Sequence, residues 1–490
     1  MTLSRSFYVH NFGCRAAQAD GAELEAALRS QGFEPAGSRE TAGLVVLNTC
    51  TVTAAADEDA RQAIRRAHRE NPAARILVTG CYAQRAPAEL AALPGVTWVV
   101  GNSHKHQIAG LVQIVRAEPG GSHLDFHGQI FVSDIFAQSE FLSALSPEGA
   151  PEAGQDRTRP NLKIQDGCNN RCSFCIIPSV RGRSRSAAPE QVVAQVRRLA
   201  ARYREVVLSG INLGRWGRDL RDQGTPRPRL ASLLRRLLAE TGIARLRLSS
   251  IEPMDWTDEL LELAASEPRI ARHVHAPLQS GSDRILRLMR RRYRARHYAD
   301  RIRKARGLMP QAAFGADVMV GFPGETDADF DETRRLIDEL PFTYLHVFTY
   351  SPRPSTPAAA APDPVPAPVK RERNRILREL AAAEGAAFRR SLLGRTLSVV
   401  TLEQPGENGT IALSDNYVKV RIAGDRMASN QIVEVQACGV EGEFVVGLLQ
   451  SQVAGLGSDQ IPDLVDVGLR GADVSDGQPQ RELIVQNGAR

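Results

Sequence analysis

The chain has 490 residues, 42% hydrophobic and 24% charged, too long for a single core and ordinary in composition for a water-soluble protein of two to four domains. No run of 18 apolar residues occurs, and the start MTLSRSFYVHNFG lacks an apolar core behind a basic end. Neither a membrane span nor a signal peptide is therefore expected, and the expected location is cytoplasmic.

Over the first hundred residues, β-rich runs at 7–11, 44–48, 75–78 and 97–100 alternate with helical stretches at 22–30 and 57–69. This βαβ order predicts a small, Rossmann-like parallel sheet in a domain covering 1–115. Residues 116–157 show no periodicity and end in SPEGAPEAGQDRTRP, which reads as a linker. From Asn161 a second series begins, with strand-like runs at 162–165, 205–209, 245–248, 273–276, 315–320 and 344–348. Helical patterns such as 189–201 and 230–240 separate them, so 158–385 is expected to form a partial or full β/α barrel. The Pro- and Ala-rich stretch 351–370 reads as an extended connector and 371–393 as a basic helix. Runs at 397–402, 417–422, 432–437 and 444–449 predict a small all-β, OB-like barrel over 386–452. The polar tail 453–490 carries no motif and is expected to be disordered. The fold class is thus α/β multidomain: a parallel-sheet domain, a partial (β/α)6 barrel and a small β-barrel.

There are seven cysteines, an odd number without a secretion signal, which points to metal or chemistry and away from a disulfide framework. The strongest motif is Cys168-x-x-x-Cys172-x-x-Cys175 in LKIQDGCNNRCSFCIIP. Three thiolates on one loop can bind three irons of a [4Fe–4S] cube and leave the fourth open to a small chelating molecule. A structural zinc site is the alternative, but zinc closes its shell with a fourth Cys or His, and none follows nearby. The motif comes just after the first strand of the barrel series, at the end where barrel active sites are built. Later strands also end in small or polar residues: Ser209 and Gly210 in LSGIN, Ser250 and Glu252 in SSIEP, Gln279 and Ser280 in LQSGSD, and the GFPGET stretch at 321–326. Such residues can hold a ribose or an amino-acid head group.

A second constellation lies in the first domain, where Cys14 follows FYVHNFG, Cys50 follows LVVLNT and Cys81 follows RILVTG. Each comes after the carboxyl end of a predicted strand, and in a parallel sheet those ends share one edge. The competing reading is three unrelated small buried hydrophobes. Cys438 stands alone on a β-run and reads as packing. His104, His106, His273 and His275 are candidate metal ligands. His273 and His275 share one face of a strand, but nothing else marks a metal site around them, so structural or substrate-lining roles are expected. Only five of the 62 basic residues are lysine, and the arginine runs RGRSRS (181–186) and RLMRRRYRARH (287–297) suit either solvated faces or a path for phosphates.

Together these features resemble the radical-SAM methylthiotransferases over residues 1 to about 452. The resemblance rests on the two cysteine triples and on NTCTVTAAADEDARQAIRRA (48–67), TGCYAQRAPAEL (79–90), VVGNSHKHQI (99–108) and KIQDGCN (163–169). It implies an auxiliary [4Fe–4S] cluster on Cys14, Cys50 and Cys81, and an S-adenosylmethionine (SAM)-binding [4Fe–4S] cluster on Cys168, Cys172 and Cys175. It also implies a carboxy-terminal RNA-binding TRAM domain, and by their position at the strand ends Ser209, Gly210, Ser250, Glu252, Gln279 and Ser280 are the expected SAM contacts. The four stretches are most similar to the MtaB-type branch, which modifies C2 of N6-threonylcarbamoyladenosine at position 37 of tRNA. IIPSVRG (176–182) is similar to the branch that modifies a ribosomal-protein aspartate, and a third branch acts on isopentenyladenosine in tRNA. Ala17 stands where the family's first motif carries Asn. The implied activity uses SAM both as methyl donor and as radical source. Its implied partners are SAM, a tRNA anticodon stem-loop and a reducing protein or other electron donor. A non-catalytic iron- or redox-sensing RNA-binding protein is the alternative of a different class.

Overall fold

The computed structural model describes residues 5–114, 128–141, 158–220, 227–403 and 409–450. The first unit is a six-stranded parallel sheet built from β1 (Ser6–Asn11), β2 (Glu34–Pro35), β3 (Leu44–Thr49), β4 (Arg75–Gly80), β5 (Val96–Gly101) and β6 (Gln129–Phe131). Its order is β2-β1-β3-β4-β5-β6. Strand β3 is buried throughout because helices cover both faces, so successive residues serve different cores. Val45 and Leu47 join Ile64 of helix Ala54–Glu70, whereas Leu44 and Val46 join Leu24 and Leu28 of helix Arg15–Ser30. Strand β6 lies inside the segment expected to be a linker. Only three residues long, with Gln129 and Ile130 exposed, it has no apolar alternation to betray it, yet it pairs with β5 and completes the sheet.

The second unit contains β7 (Asn161–Asp166), β8 (Arg185–Ser186), β9 (Glu205–Gly210), β10 (Arg245–Leu248), β11 (His273–His275), β12 (Ala313–Val320) and β13 (Tyr344–Thr349). They form the sheets β10-β9-β7-β8 and β11-β12-β13, joined by a parallel bridge from Leu246 to Ile270. Six strands of the wall run parallel, and the short β8 closes one edge antiparallel to β7. This is the expected partial (β/α)6 barrel. Side chains alternate across its wall with period two. Leu162, Ile164, Val206, Leu208, Leu246, Val274, Phe314, Ala316 and Val318 share an apolar core with the flanking helices. The intervening residues on the other face are polar: Lys163, Gln165, Glu205, Ser209, Arg247, His275, Asp317 and His346.

Helix Ala367–Ser391 leads to a closed barrel of β14 (Thr396–Thr401), β15 (Thr410–Ser414), β16 (Lys419–Ile422), β17 (Ile432–Glu441) and β18 (Phe444–Leu449), in the order β14-β15-β16-β18-β17. Strand β15 was not expected, since the preceding Gly and Asn residues make TIALS resemble a turn flank. The small barrel docks on the second unit through buried arginines. Arg247 donates to the carbonyls of Ser414 (2.9 Å) and Asp415 (3.0 Å), and Arg245 donates to Ser398 Oγ at 2.8 Å. The tail 453–490 lies outside the described residues.

Candidate active site

The sheet order explains how Cys14, Cys50 and Cys81 meet. Strands β1, β3 and β4 are direct neighbours in register, with Asn11 opposite Asn48 and Thr49 opposite Gly80. Cys50 and Cys81 are the first residues beyond β3 and β4, and Cys14 caps the helix that follows β1, so all three leave the sheet at one edge. Gly80 makes the last turn possible. Its φ is +99°, and a Cβ there would lie 2.3 Å from the Thr49 carbonyl oxygen. Cys50 and Cys81 are buried and Cys14 is exposed, so the group opens to one side. Burial pushes the Cys50 thiol far above its ordinary range, and the neighbouring Cys81 and Cys14 add to the effect. The Ala17 carbonyl accepts from Asn48 Nδ2 at 2.7 Å, and Asn48 also bonds Asn11, so this corner is held despite the absent Asn side chain at 17.

The loop after β7 carries the other three thiols. Gly167 turns the chain with φ +69°, and any side chain there would run into the Arg183 carbonyl. Cys168 then receives the Asn170 amide at 3.4 Å and Asn212 Nδ2 at 3.9 Å, while Cys172 receives Arg291 Nη1 at 3.3 Å. The donors to Cys168 favour its thiolate, against the burial that raises its pKa. Without a metal, Cys175 is pushed up to about 12 by burial and by its neighbours Cys172 and Cys168. Such clustered, unbridged thiols lose their protons to a metal centre. Three thiolate donors are a ligand set that iron–sulfur clusters use.

The two triples are joined by packing around Cys81. Helix Ile177–Arg181, directly after Cys175, packs Ile176 and Val180 against Cys81, and Asn102 donates to both Cys81 Sγ (3.7 Å) and the Val180 carbonyl (2.8 Å). Beside them a charged cleft separates the first two units. At its base Asp20, 2% exposed, is paired with Lys163, with Arg181 at 2.8 Å and with Lys105 at 2.9 Å. Arg181 also holds Asp166 at 2.9 Å. Burial opposes ionisation of Asp20, but Arg181, Lys105 and Lys163 outweigh it and hold the carboxyl well below its ordinary range. No sequence motif pointed to this network, because an acid on a helix and a lysine on a strand look like surface charges.

Neither reading of 181–186, a solvated face or a phosphate path, fits most of its arginines. Arg181 and Arg185 are buried in the interface, 1% and 8% exposed, and only Arg183 of that run reaches solvent as an exposed side chain. In the second run, Arg287, Arg290, Arg292 and Arg296 are exposed, whereas Arg291 turns in to clamp Glu252 with bonds of 3.0 and 2.5 Å. Arg171, Arg215, Arg290 and Arg292 line a cleft at Cys172.

The six strand-end residues take varied positions. Ser209 bonds back to the Leu162 carbonyl at 3.5 Å, and Gly210 makes room for Gln165. Ser280 turns outward onto Thr333 Oγ1 at 3.2 Å. Ser250 is half-buried and Glu252 is held by Arg291 beside Cys172. Gln279 adopts a left-handed φ of +65°, and its buried Oε1 has no partner. Gln165, absent from the sequence reading, is the fully buried hub. It accepts from the Asn212 amide and donates to the carbonyls of Asp166 and Gly167. Cys438 lies at a bulge of β17 and bonds the Gln436 carbonyl, in keeping with packing.

Comparison with known proteins agrees with this geometry. Residues 162–337 match the Radical SAM superfamily, and residues 6–101 match the uncharacterized protein family UPF0004. The radical SAM methyltransferase TsrM from Kitasatospora setae, solved with tryptophan substrate and a SAM analog, shares the fold at a TM-score of 0.54 and 17% identity, over 73% of this chain and 75% of that one. The protein is therefore a radical-SAM enzyme, with the SAM and [4Fe–4S] cluster that the superfamily implies. Threonylcarbamoyladenosine tRNA methylthiotransferase MtaB of Bacillus subtilis is 39% identical over 89% of this chain and 95% of its own length. MtaB of Aquifex aeolicus is 38% identical over 84% and 95%. A tRNA-2-methylthio-N(6)-dimethylallyladenosine synthase of Parafrankia sp. is 36% identical over 82% and 79%. The chain belongs to the radical-SAM tRNA methylthiotransferase family. No helix among the described residues is long and apolar enough to cross a membrane.

Proposed function

We propose that the protein transfers a methylthio group to C2 of N6-threonylcarbamoyladenosine at position 37 of tRNA. The observation that carries the reading is the packing of Cys81, from one thiol triple, against Ile176 and Val180, which follow Cys175 of the other. Cys168, Cys172 and Cys175 would hold the SAM cluster, and Cys14, Cys50 and Cys81 a second [4Fe–4S] cluster. When bound, these groups supply a methyl from one SAM to a sulfur held at the auxiliary cluster and, by one electron passed from the loop cluster to a second SAM, a deoxyadenosyl radical able to take hydrogen from an aromatic C–H.

The chain's own residues position and enclose that chemistry. Arg291 holds Glu252 beside Cys172, fixing a carboxylate where the amino group of SAM would need one. Gln279 offers an unpaired acceptor on the polar face of the barrel wall. The exposed arginines around the Cys172 cleft suit the phosphates of an anticodon loop whose target base is turned out of its stack. The small β-barrel, read as a TRAM domain, adds RNA grip, and an external one-electron donor completes the requirements. The substrate branch rests on relatives named for threonylcarbamoyladenosine that align over nearly their whole length.

The test is anaerobic incubation of reconstituted protein with SAM, a strong reductant and bulk tRNA from a strain lacking the gene, followed by nucleoside mass spectrometry. Threonylcarbamoyladenosine gaining one methylthio group is the expected result. Gain on isopentenyladenosine instead moves the substrate to the other tRNA branch. SAM cleavage with no modified nucleoside redirects the test to the ribosomal-protein aspartate, and no cleavage with both clusters intact favours an iron or redox sensor.

A further inference from the structure

The polar face of the barrel wall carries a group of side chains that the methylthiotransfer reading does not use. His275 ends β11, Asp317 lies in the middle of β12, and His346 lies directly opposite Asp317 on β13. Asp317 Oδ1 is 3.0 Å from His346 Nδ1 and 3.4 Å from His275 Nε2, and the three atoms all fall within 4.8 Å of one another. On a first-row ion with bonds of about 2.1 Å, ligand atoms sit about 3.0 Å apart at right angles and about 3.4 Å apart at the tetrahedral angle. The two spacings observed are those spacings.

A hydrogen bond alone accounts for the His346 contact but not for His275. That residue is 7% exposed, and its Nε2 lies 3.4 Å from Asp317 Oδ1, within ion-pair range but too poorly aligned for a hydrogen bond. A buried polar atom without a hydrogen bond costs free energy, and in native proteins such an atom signals a missing water or ion. The surroundings hold the imidazole in place. The Tyr344 ring stacks on His275 at 5.8 Å and 18°, in space that exists because residue 315 is glycine, where a Cβ would overlap that ring. The Tyr344 hydroxyl is anchored in turn on His273 Nε2 at 2.6 Å. Supporting contacts that lock ligand orientation are a feature of built metal sites. His346 is half-buried, which leaves one side of the group accessible.

We infer that His275, Asp317 and His346 form a mononuclear site for a divalent first-row transition ion, zinc or ferrous iron, separate from the cysteine triples. Two imidazoles and one carboxylate suit both ions and leave coordination positions open on the accessible side, where water or a carboxylate oxygen can bind. The inference is independent of which nucleoside the enzyme modifies.

The experiment uses the full chain with its cysteine-bound iron reconstituted, treated with a mild chelator, exposed to micromolar zinc and desalted. Zinc, iron and sulfide are then measured in the same sample for the wild type, Asp317→Asn and His346→Gln. The expected result is one zinc per chain in the wild type and at least a tenfold loss in both variants, with iron and sulfide unchanged. Loading with ferrous iron should add a high-spin ferrous Mössbauer doublet that both variants lack. Equal zinc in wild type and variants would place the metal on cysteines and overturn the inference, as would a wild type that takes up neither ion. The iron and sulfide contents, together with circular dichroism, show that the variants are folded, and near-isosteric Asp317→Asn guards against simple unfolding.

Discussion

The two cysteine triples are built in opposite ways. Cys168, Cys172 and Cys175 occupy one eight-residue loop turned at Gly167, with a local donor from Asn170 and a distant one from Arg291. Cys14, Cys50 and Cys81 lie 36 and 31 residues apart, and only the adjacency of β1, β3 and β4 brings them to one edge. The first arrangement needs only short covalent spacing to bring its thiols together, whereas the second inherits every disturbance of its sheet. Asp20 joins the two, because its partners Lys163 and Arg181 flank the loop triple while its own helix begins at Cys14.

Changing the cysteines themselves should separate the two regions most sharply. Cys172→Ala is expected to reduce SAM cleavage by three orders of magnitude or more, the scale of losing a group essential to chemistry. Cys50→Ala should keep reductive cleavage while abolishing the methylthio product. Deoxyadenosine release and nucleoside mass, read from the same reaction, check both, and equal loss of cleavage in the two variants would contradict the division.

Next in size is Asp20→Ala, which leaves the buried Lys163 and Arg181 to share Asp166 and Glu23 as their remaining counter-charges, at a cost of roughly 3 kcal/mol. A lower thermal midpoint, together with iron lost first from the first domain, is expected. Acid should act on a comparable scale at the foot of the barrel, where Glu205 is fully buried among Arg247, Arg159 and Arg245. Burial opposes its ionisation, but those arginines hold its pKa at about 2. The folded value lies below the unfolded one, so the stabilisation is complete above about pH 5 and is lost as pH falls from there toward 2. Roughly 3 kcal/mol is at stake. Unfolding midpoints between pH 3 and 7 should show this slope for the wild type and a flatter one for Glu205→Gln.

Gly80→Ala tests the sheet-built triple alone. A Cβ at φ +99° against the Thr49 carbonyl is expected to cost about 1–3 kcal/mol. Iron content should fall by up to half with SAM cleavage retained. The smallest effect is expected for Asn212→Ala, which removes one long N–H···S contact of 3.9 Å. It should shift the reduction potential of the loop cluster slightly without loss of iron.

Much of the architecture was legible because local patterns carry it. Period-two alternation located most barrel strands, and the repeated placement of a cysteine just past a strand pointed to the first-domain triple before any topology was known. Strand β6 escaped because three residues, two of them exposed, contain no pattern. The arginines of 181–186 misled because a buried guanidinium and a solvated one are the same letter until a carboxylate such as Asp20 is placed against it.

What the sequence by itself determined is the chemistry of the loop triple, since ligand spacing within a few residues is a property of the covalent chain, and the strand-then-cysteine rhythm of the other. Only the tertiary structure decided that the two triples meet through Cys81 and helix Ile177–Arg181, that Asp20 is an interface carboxylate, and that His275, Asp317 and His346 converge. Those groups are separated by 71 to 161 residues at their extremes, and such distances close only when strand order and packing bring the chain back on itself.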